Sequence, residues 1–213
     1  MKKLLLPVAI TTSIFFAPAA VLASPVIGSN SYFSLYLASY DDLDVDSAWG
    51  GTAEIEYFLN DVFYLTLGSG LARISDSEEY MGSTGTVSVL SLLSMFGAGV
   101  EVAVADNIGF YGEAGVGLST ITAKVSYNGN SMSDTDSGTV LGWATGMRFK
   151  QDEVFGQFGL SSNKADYGDY ETEWTNSVGV KAGYFVSETV ALGIDLGFNS
   201  DVTTFGLGIT ATY

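Results

Sequence analysis

Strict period-two alternation, with no charge on its apolar side, governs what this chain can fold into. In Phe205-Gly-Leu-Gly-Ile-Thr-Ala-Thr-Tyr213, one face carries Phe205, Leu207, Ile209, Ala211 and Tyr213, and the other Gly206, Gly208, Thr210 and Thr212. That is the repeat of an extended strand. Comparable segments recur at approximately 31–40, 51–59, 62–73, 87–105, 108–125, 138–150, 153–162, 173–186, 190–198 and 202–213. Their apolar faces, such as Phe33/Leu35/Leu37, Phe63/Leu65/Leu67 and Leu192/Ile194/Leu196/Phe198, are free of charge. Between Leu90 and Phe96 both parities are apolar, and the register there stays open.

The connections alternate in length. Asn60-Asp61, Asp106-Asn107, Gln151-Asp152 and Ser187-Glu188-Thr189 have the chemistry of tight hairpin turns. The longer connections, 41–50, 74–86, 126–137 and 163–172, and a shorter one at Asn199-Ser200-Asp201, fall at the opposite end. Both termini then lie with the tight turns.

The face opposite the apolar one is dominated by glycine, including Gly68, Gly97, Gly99, Gly115, Gly117, Gly146, Gly183, Gly193, Gly206 and Gly208. A soluble β-sandwich also alternates, but its water-facing side is expected to carry Lys, Glu, Thr and Gln, and glycine weakens a solvated strand. Glycine suits the interior of a narrow closed sheet. Tyr36, Tyr64, Tyr111, Phe155 and Phe185 share that parity and can lie over the bare backbone. Backbone groups facing lipid must all be paired, so strands cross a membrane only when the sheet closes. The expectation is a closed antiparallel up-and-down transmembrane β-barrel of about ten strands, with eight as the alternative if 31–40 or 199–201 is misread.

The N-terminal end supplies a compartment. Lys2 and Lys3 precede an apolar stretch that ends Val21-Leu22-Ala23 before Ser24, which reads as a cleaved secretory signal over 1–23 and a barrel domain over 24–213. Without cysteine there is neither a disulfide nor a thiol for a lipid anchor. Removing Lys2 and Lys3 leaves six bases against 24 acids, a formal charge of −18, which excludes nucleic acid as a partner. The mean hydropathy is nevertheless +0.28. Apart from the signal, no apolar run is long enough for a spanning helix.

Signal, period-two strands, glycine-rich interior and terminal aromatic together resemble the small outer-membrane β-barrel families, the opacity-type and porin-family proteins. The resemblance implies the outer membrane of a Gram-negative bacterium, periplasmic termini, and a monomer surrounded by outer-membrane lipid and lipopolysaccharide. The last segment also resembles the C-terminal signal read by the outer-membrane insertion machinery. Gly208, Ala211 and Tyr213 have its spacing, although Gly206 stands where a polar residue is usual.

Interior parity places Glu54, Glu56, Glu101, Glu113, Arg148, Lys150, Lys181 and Asp195 inside, each near a tight turn and hence in one layer. If Val186 pairs with Val190, Lys181 stands opposite Asp195. Three bases facing five carboxylates favour a polar lock that fills the barrel and fixes its register over a selectivity layer for a solute. The chain has no histidine, the base on which barrel proteases, phospholipases and lipid-modifying enzymes depend. The expectation is no enzyme, and no catalytic, cofactor or metal site. Asp41, Asp42, Asp44, Asp46, Asp76, Glu78, Glu79, Asp134, Asp136, Asp166, Asp169, Glu171, Glu173 and Asp201 make the outer connections acidic. Asp42-Leu-Asp44-Val-Asp46 opens like an EF-hand, but Ser47 occupies the glycine position and Ala53 the glutamate position, so it is not one. A divalent cation shared between loop acids and lipopolysaccharide phosphate is a weaker reading than solvated loops. Tyr80, Tyr127, Tyr167, Tyr170 and Trp174 are expected to be exposed among those acids, with Trp49 in the first outer connection. The function read from these features is a structural, adhesion-like or surface-interaction barrel, the alternative being a narrow channel or transporter.

Overall fold

Four side-chain-capped turns and four left-handed backbone positions punctuate the described residues. Asn60 Oδ1 accepts the amides of Val62 and Phe63 at 2.9 Å, Ser187 Oγ that of Val190 at 3.1 Å, and Asn199 Oδ1 those of Asp201 and Val202 at 2.9 and 2.8 Å. After β7, Asp166 Oδ1 accepts the amide of Gly168 at 2.8 Å. Asp152 has φ +53°, and Asn128-Gly129 has φ +49° and +80°, the pair of positive angles that a type I′ hairpin turn demands. The computed structural model describes residues 29–40, 47–80, 83–105, 107–168 and 172–213, with the side chains of 47, 78–80 and 83–84 excepted. The signal segment, Asp41 to Asp46 and Asp169 to Glu171 lie outside the described residues.

Between the turns run β1 (Asn30–Tyr40), β2 (Ser47–Phe58), β3 (Phe63–Tyr80), β4 (Ser83–Ala105), β5 (Ile108–Tyr127), β6 (Asn130–Gln151), β7 (Val154–Asp166), β8 (Thr175–Phe185), β9 (Val190–Phe198) and β10 (Val202–Thr212). Each pairs antiparallel with its sequence neighbours, and β1 pairs with β10, so the ten strands close into a barrel. Eight strands is thereby excluded. The seam pairs Phe33 with Ile209 and Leu35 with Leu207, and the Tyr213 amide donates to the Ser29 carbonyl at 3.0 Å.

Two of the expected outer loops are not loops. Residues 74–80 with 83–86, and 126–137, continue the sheet as ribbons, with Ser75 paired to Ser88, Asp76 to Val87, Lys124 to Ser133 and Tyr127 to Asn130. Backbone pairing in water needs no apolar face, so the strands outlast the hydrophobic alternation that marks them within lipid. Asp76, Asp134 and Asp136 accordingly sit on strands. Trp49 is likewise in β2, outward-facing and paired with Arg73, where it was expected in a connection.

Inside and outside separate cleanly. Phe205, Leu207 and Ile209 are 47%, 62% and 50% exposed, while Gly206 and Gly208 between them are buried. In β4 the open register resolves with Leu90, Leu92 and Phe96 outward and Val89, Leu93 and Met95 inward. The inward set joins Ala72, Ile121, Ala123, Val140, Ala165 and Tyr167 in an apolar cluster in the half of the lumen away from the tight turns. Tyr167 corrects another expectation. Instead of lying exposed in a connection, it folds over the mouth, 8% exposed, and its OH donates to Ser119 Oγ at 3.0 Å. The turn at Gly168, whose φ is +81°, directs it there.

Candidate functional site

The charged side chains lie near the tight-turn end, beneath the apolar cluster. Arg148 projects inward from β6 between Tyr111 and Tyr64, its guanidinium carbon 4.3 and 5.5 Å from their ring centres. Nη2 donates to Glu56 Oε1 on β2 at 2.8 Å, and Nη1 to Glu101 Oε2 on β4 at 2.7 Å. Asn30 of β1 donates to Glu56 Oε2 at 3.1 Å. One guanidinium therefore ties together strands from opposite sides of the lumen, which its planar, multi-donor fork suits better than a lysine. Arg148 and both carboxylates are almost wholly buried. Such a triad is costly to assemble, because desolvation opposes it, and more costly to break.

Glycine makes the room. A Cβ on Gly109 would stand 2.7 Å from Glu101 Oε1, and one on Gly99 would overlap the Tyr64 ring. Tyr32 lies over Gly208 and Phe155 over Gly183 in the same way. The glycines and the interior aromatics are thus complementary halves of one packing device. Tyr32, Asn30 and Gln157 were not singled out from the sequence, although the inward parity of their strands carries them. Gln157 Nε2 donates to Tyr111 OH at 3.0 Å and so fixes the ring on which Arg148 rests.

The eight expected residues are not all joined. Lys181 is paired in register with Asp195 and forms the expected ion pair, at 4.0 Å to Oδ1. Tyr32 OH and Ser34 Oγ, the latter at 2.7 Å, donate to Asp195 Oδ2, while Lys181 Nζ sits 3.4 Å above the Tyr32 ring. Tyrosine and lysine thus share the carboxylate, Tyr32 on Oδ2 and Lys181 on Oδ1. Lys150 turns away from the layer to the Phe185 ring, 4.6 Å from its centre. Glu113 Oε2 accepts from Tyr64 OH at 3.0 Å, and Glu54 is buried beside it. Chemically, the arrangement cross-links strands across the lumen.

The sequence between residues 8 and 156 matches the family described as outer membrane protein beta-barrel domain. The chain belongs to this outer-membrane β-barrel family. This outer-membrane barrel shares its fold with the translocator domain of the autotransporter NalP from Neisseria meningitidis, at 11% identity and a TM-score of 0.55, covering 100% of this chain and 95% of that one. Ail, the attachment invasion locus protein of Yersinia pestis, is 15% identical over 88% of this chain and 100% of its own, with a TM-score of 0.41. The NanC porin is 8% identical over 86% of this chain and 100% of its own, with a TM-score of 0.48. No curated protein sequence matches this outer-membrane barrel.

Proposed function

We propose that this outer-membrane barrel neither conducts nor catalyses, and that its lumen is a rigid plug supporting surface hairpins that interact with the cell's surroundings. The observation that carries this reading is the double closure of the lumen. The Arg148 triad fills the end near the tight turns, and above it Leu93, Ile121 and Val140 are each no more than 2% exposed, with Tyr167 across the mouth. Small barrels fill their interiors with side chains, whereas aqueous bores belong to much larger ones. The absence of histidine supports a non-enzymatic role. What projects is the pair of acidic ribbons at the β3–β4 and β5–β6 ends, held by paired backbone. In this reading the termini and tight turns face the periplasm, the ribbons face outward, and the outward pair Trp49 and Arg73 lies at the outer interface, where an amphipathic ring and a cation suit lipopolysaccharide. Gly208, Ala211 and Tyr213 serve assembly, and the protein is a monomer in lipid.

Reconstitution of the purified protein in planar bilayers tests the reading. The expected result is no stepwise conductance. Reproducible single-channel steps, abolished by a bulky substitution in the lumen such as Gly97→Trp, would establish the channel alternative instead.

A further inference from the structure

The charge layer is not balanced. Glu54, Glu56, Glu101, Glu113 and Asp195 are five acids at one level of the lumen, against Arg148 and Lys181. Arg148 is committed to Glu56 and Glu101, and Lys181 stands beside Asp195. Among the described residues no ion pair reaches Glu54 or Glu113. Glu54 is 9% exposed, and its Oε2 has no hydrogen-bond partner. A buried carboxylate oxygen left without a partner is costly.

We infer that the lumen holds one divalent cation of the calcium type, coordinated by Glu54 and Glu113 with Glu56 as the third carboxylate. One oxygen from each of the three lies within 4.8 Å of the others. Calcium takes oxygen ligands at about 2.3–2.6 Å, so oxygens around a single ion can stand up to about 5 Å apart, whereas magnesium, at about 2.1 Å, needs a tighter set. The observed spacing fits calcium without contraction. A cavity of about 20 Å³ lies against Glu54 and Glu113, bounded by Thr66, Gly97, Met95 and Ala144. A single water-sized occupant needs about 10–15 Å³, so the space suits one ion or one water. Glu113 receives Tyr64 OH on one oxygen and has the other to offer, Glu54 contributes its unpaired Oε2, and Glu56 adds charge from beneath. The Met95 side chain and the apolar cluster lie on one side of the site, and on another Glu54 borders a larger cavity of about 620 Å³ lined by Tyr32, Gly68 and Ser94, through which an ion can reach it.

The test refolds the full mature chain from urea into detergent micelles with calcium or with a chelator. The expected result is one calcium retained per chain after desalting, and terbium emission sensitised through Tyr64 and displaced by calcium. In E54Q/E113Q, terbium affinity is expected to fall at least about tenfold, the scale of even an outer-shell loss at a metal site. D134N, on the outer ribbon, separates loop binding from lumen binding and is expected to retain the ion. The urea midpoint of the parent is expected to rise with calcium, and that of E54Q/E113Q to be indifferent to it. Absence of retained calcium, retention by E54Q/E113Q, or loss in D134N would overturn the inference. Should E54Q/E113Q fail to fold, a parent midpoint that is the same in calcium and in chelator overturns it alone.

Discussion

Replacing Arg148 with methionine tests whether the triad locks the barrel. Methionine keeps much of the side chain's length and removes its charge, stranding Glu56 and Glu101, neither of which has a side chain exposed to solvent. Removing one partner of a buried pair costs about 3–5 kcal/mol, and the lost stacking on Tyr111 and Tyr64 adds about 0.5–2 kcal/mol, so a total of about 3.5–7 kcal/mol is expected. Domains of ordinary stability have only about 5–15 kcal/mol to lose. The assay is urea titration in detergent or vesicles, followed by tryptophan fluorescence and by the mobility of unheated protein on a gel. The companion is Glu56→Met/Arg148→Met/Glu101→Met, which removes the charges together and is expected to fall within about 2 kcal/mol of the parent, since apolar replacement of a buried ionic cluster is often near neutral. Two results would refute the reasoning. A loss below about 1 kcal/mol in Arg148→Met would mean that the triad does not hold the barrel. A triple variant as unstable as the single one would mean that packing, and not stranded charge, sets the cost.

Other outcomes follow from the same geometry. Gly99→Ala places a methyl group inside the Tyr64 ring and is expected to cost about 1–3 kcal/mol, whereas Gly68→Ala, with nothing within 4 Å of the new atom, is expected to change stability by less than about 0.5 kcal/mol. Equal urea midpoints for the two variants would show that the lumen rearranges freely. Leu207→Arg puts a cation on the lipid face and is expected to destabilise the barrel by about 2–4 kcal/mol in vesicles. A neutral result at this 62% exposed position would fit water and not lipid on that face. Mass spectrometry of the protein isolated from outer membranes is expected to find Ser24 as the first residue, and a mass that includes residues 1–23 would show the signal to be retained. Deleting Tyr213 is expected to slow insertion in a reconstituted assembly assay while leaving spontaneous refolding in detergent intact; unchanged insertion would remove its role as a signal.

The sequence by itself determined the parity of the strands, their closure and most of their turns. Each face of a strand is a local property: a residue and its second neighbour share a side, and lipid tolerates no charge there. Lys181 opposite Asp195 was legible too, because one short turn sets that register. Asn128-Gly129 has hairpin-turn chemistry, but it lies within the expected 126–137 connection, because alternation in hydrophobicity fades where the β5–β6 ribbon leaves the bilayer and the strands there read as loop. Only the tertiary structure decided who meets whom across the lumen. Arg148 finds partners 47 and 92 residues away, a choice set by the stagger accumulated from strand to strand, which no single segment encodes. The same closure brought Met95 and Leu93 inward where both parities were apolar, turned Tyr167 over the mouth, and added Tyr32 to the Asp195 carboxylate beside Lys181. Parity says which residues are inside; the closed circumference says at what height, and against which neighbour.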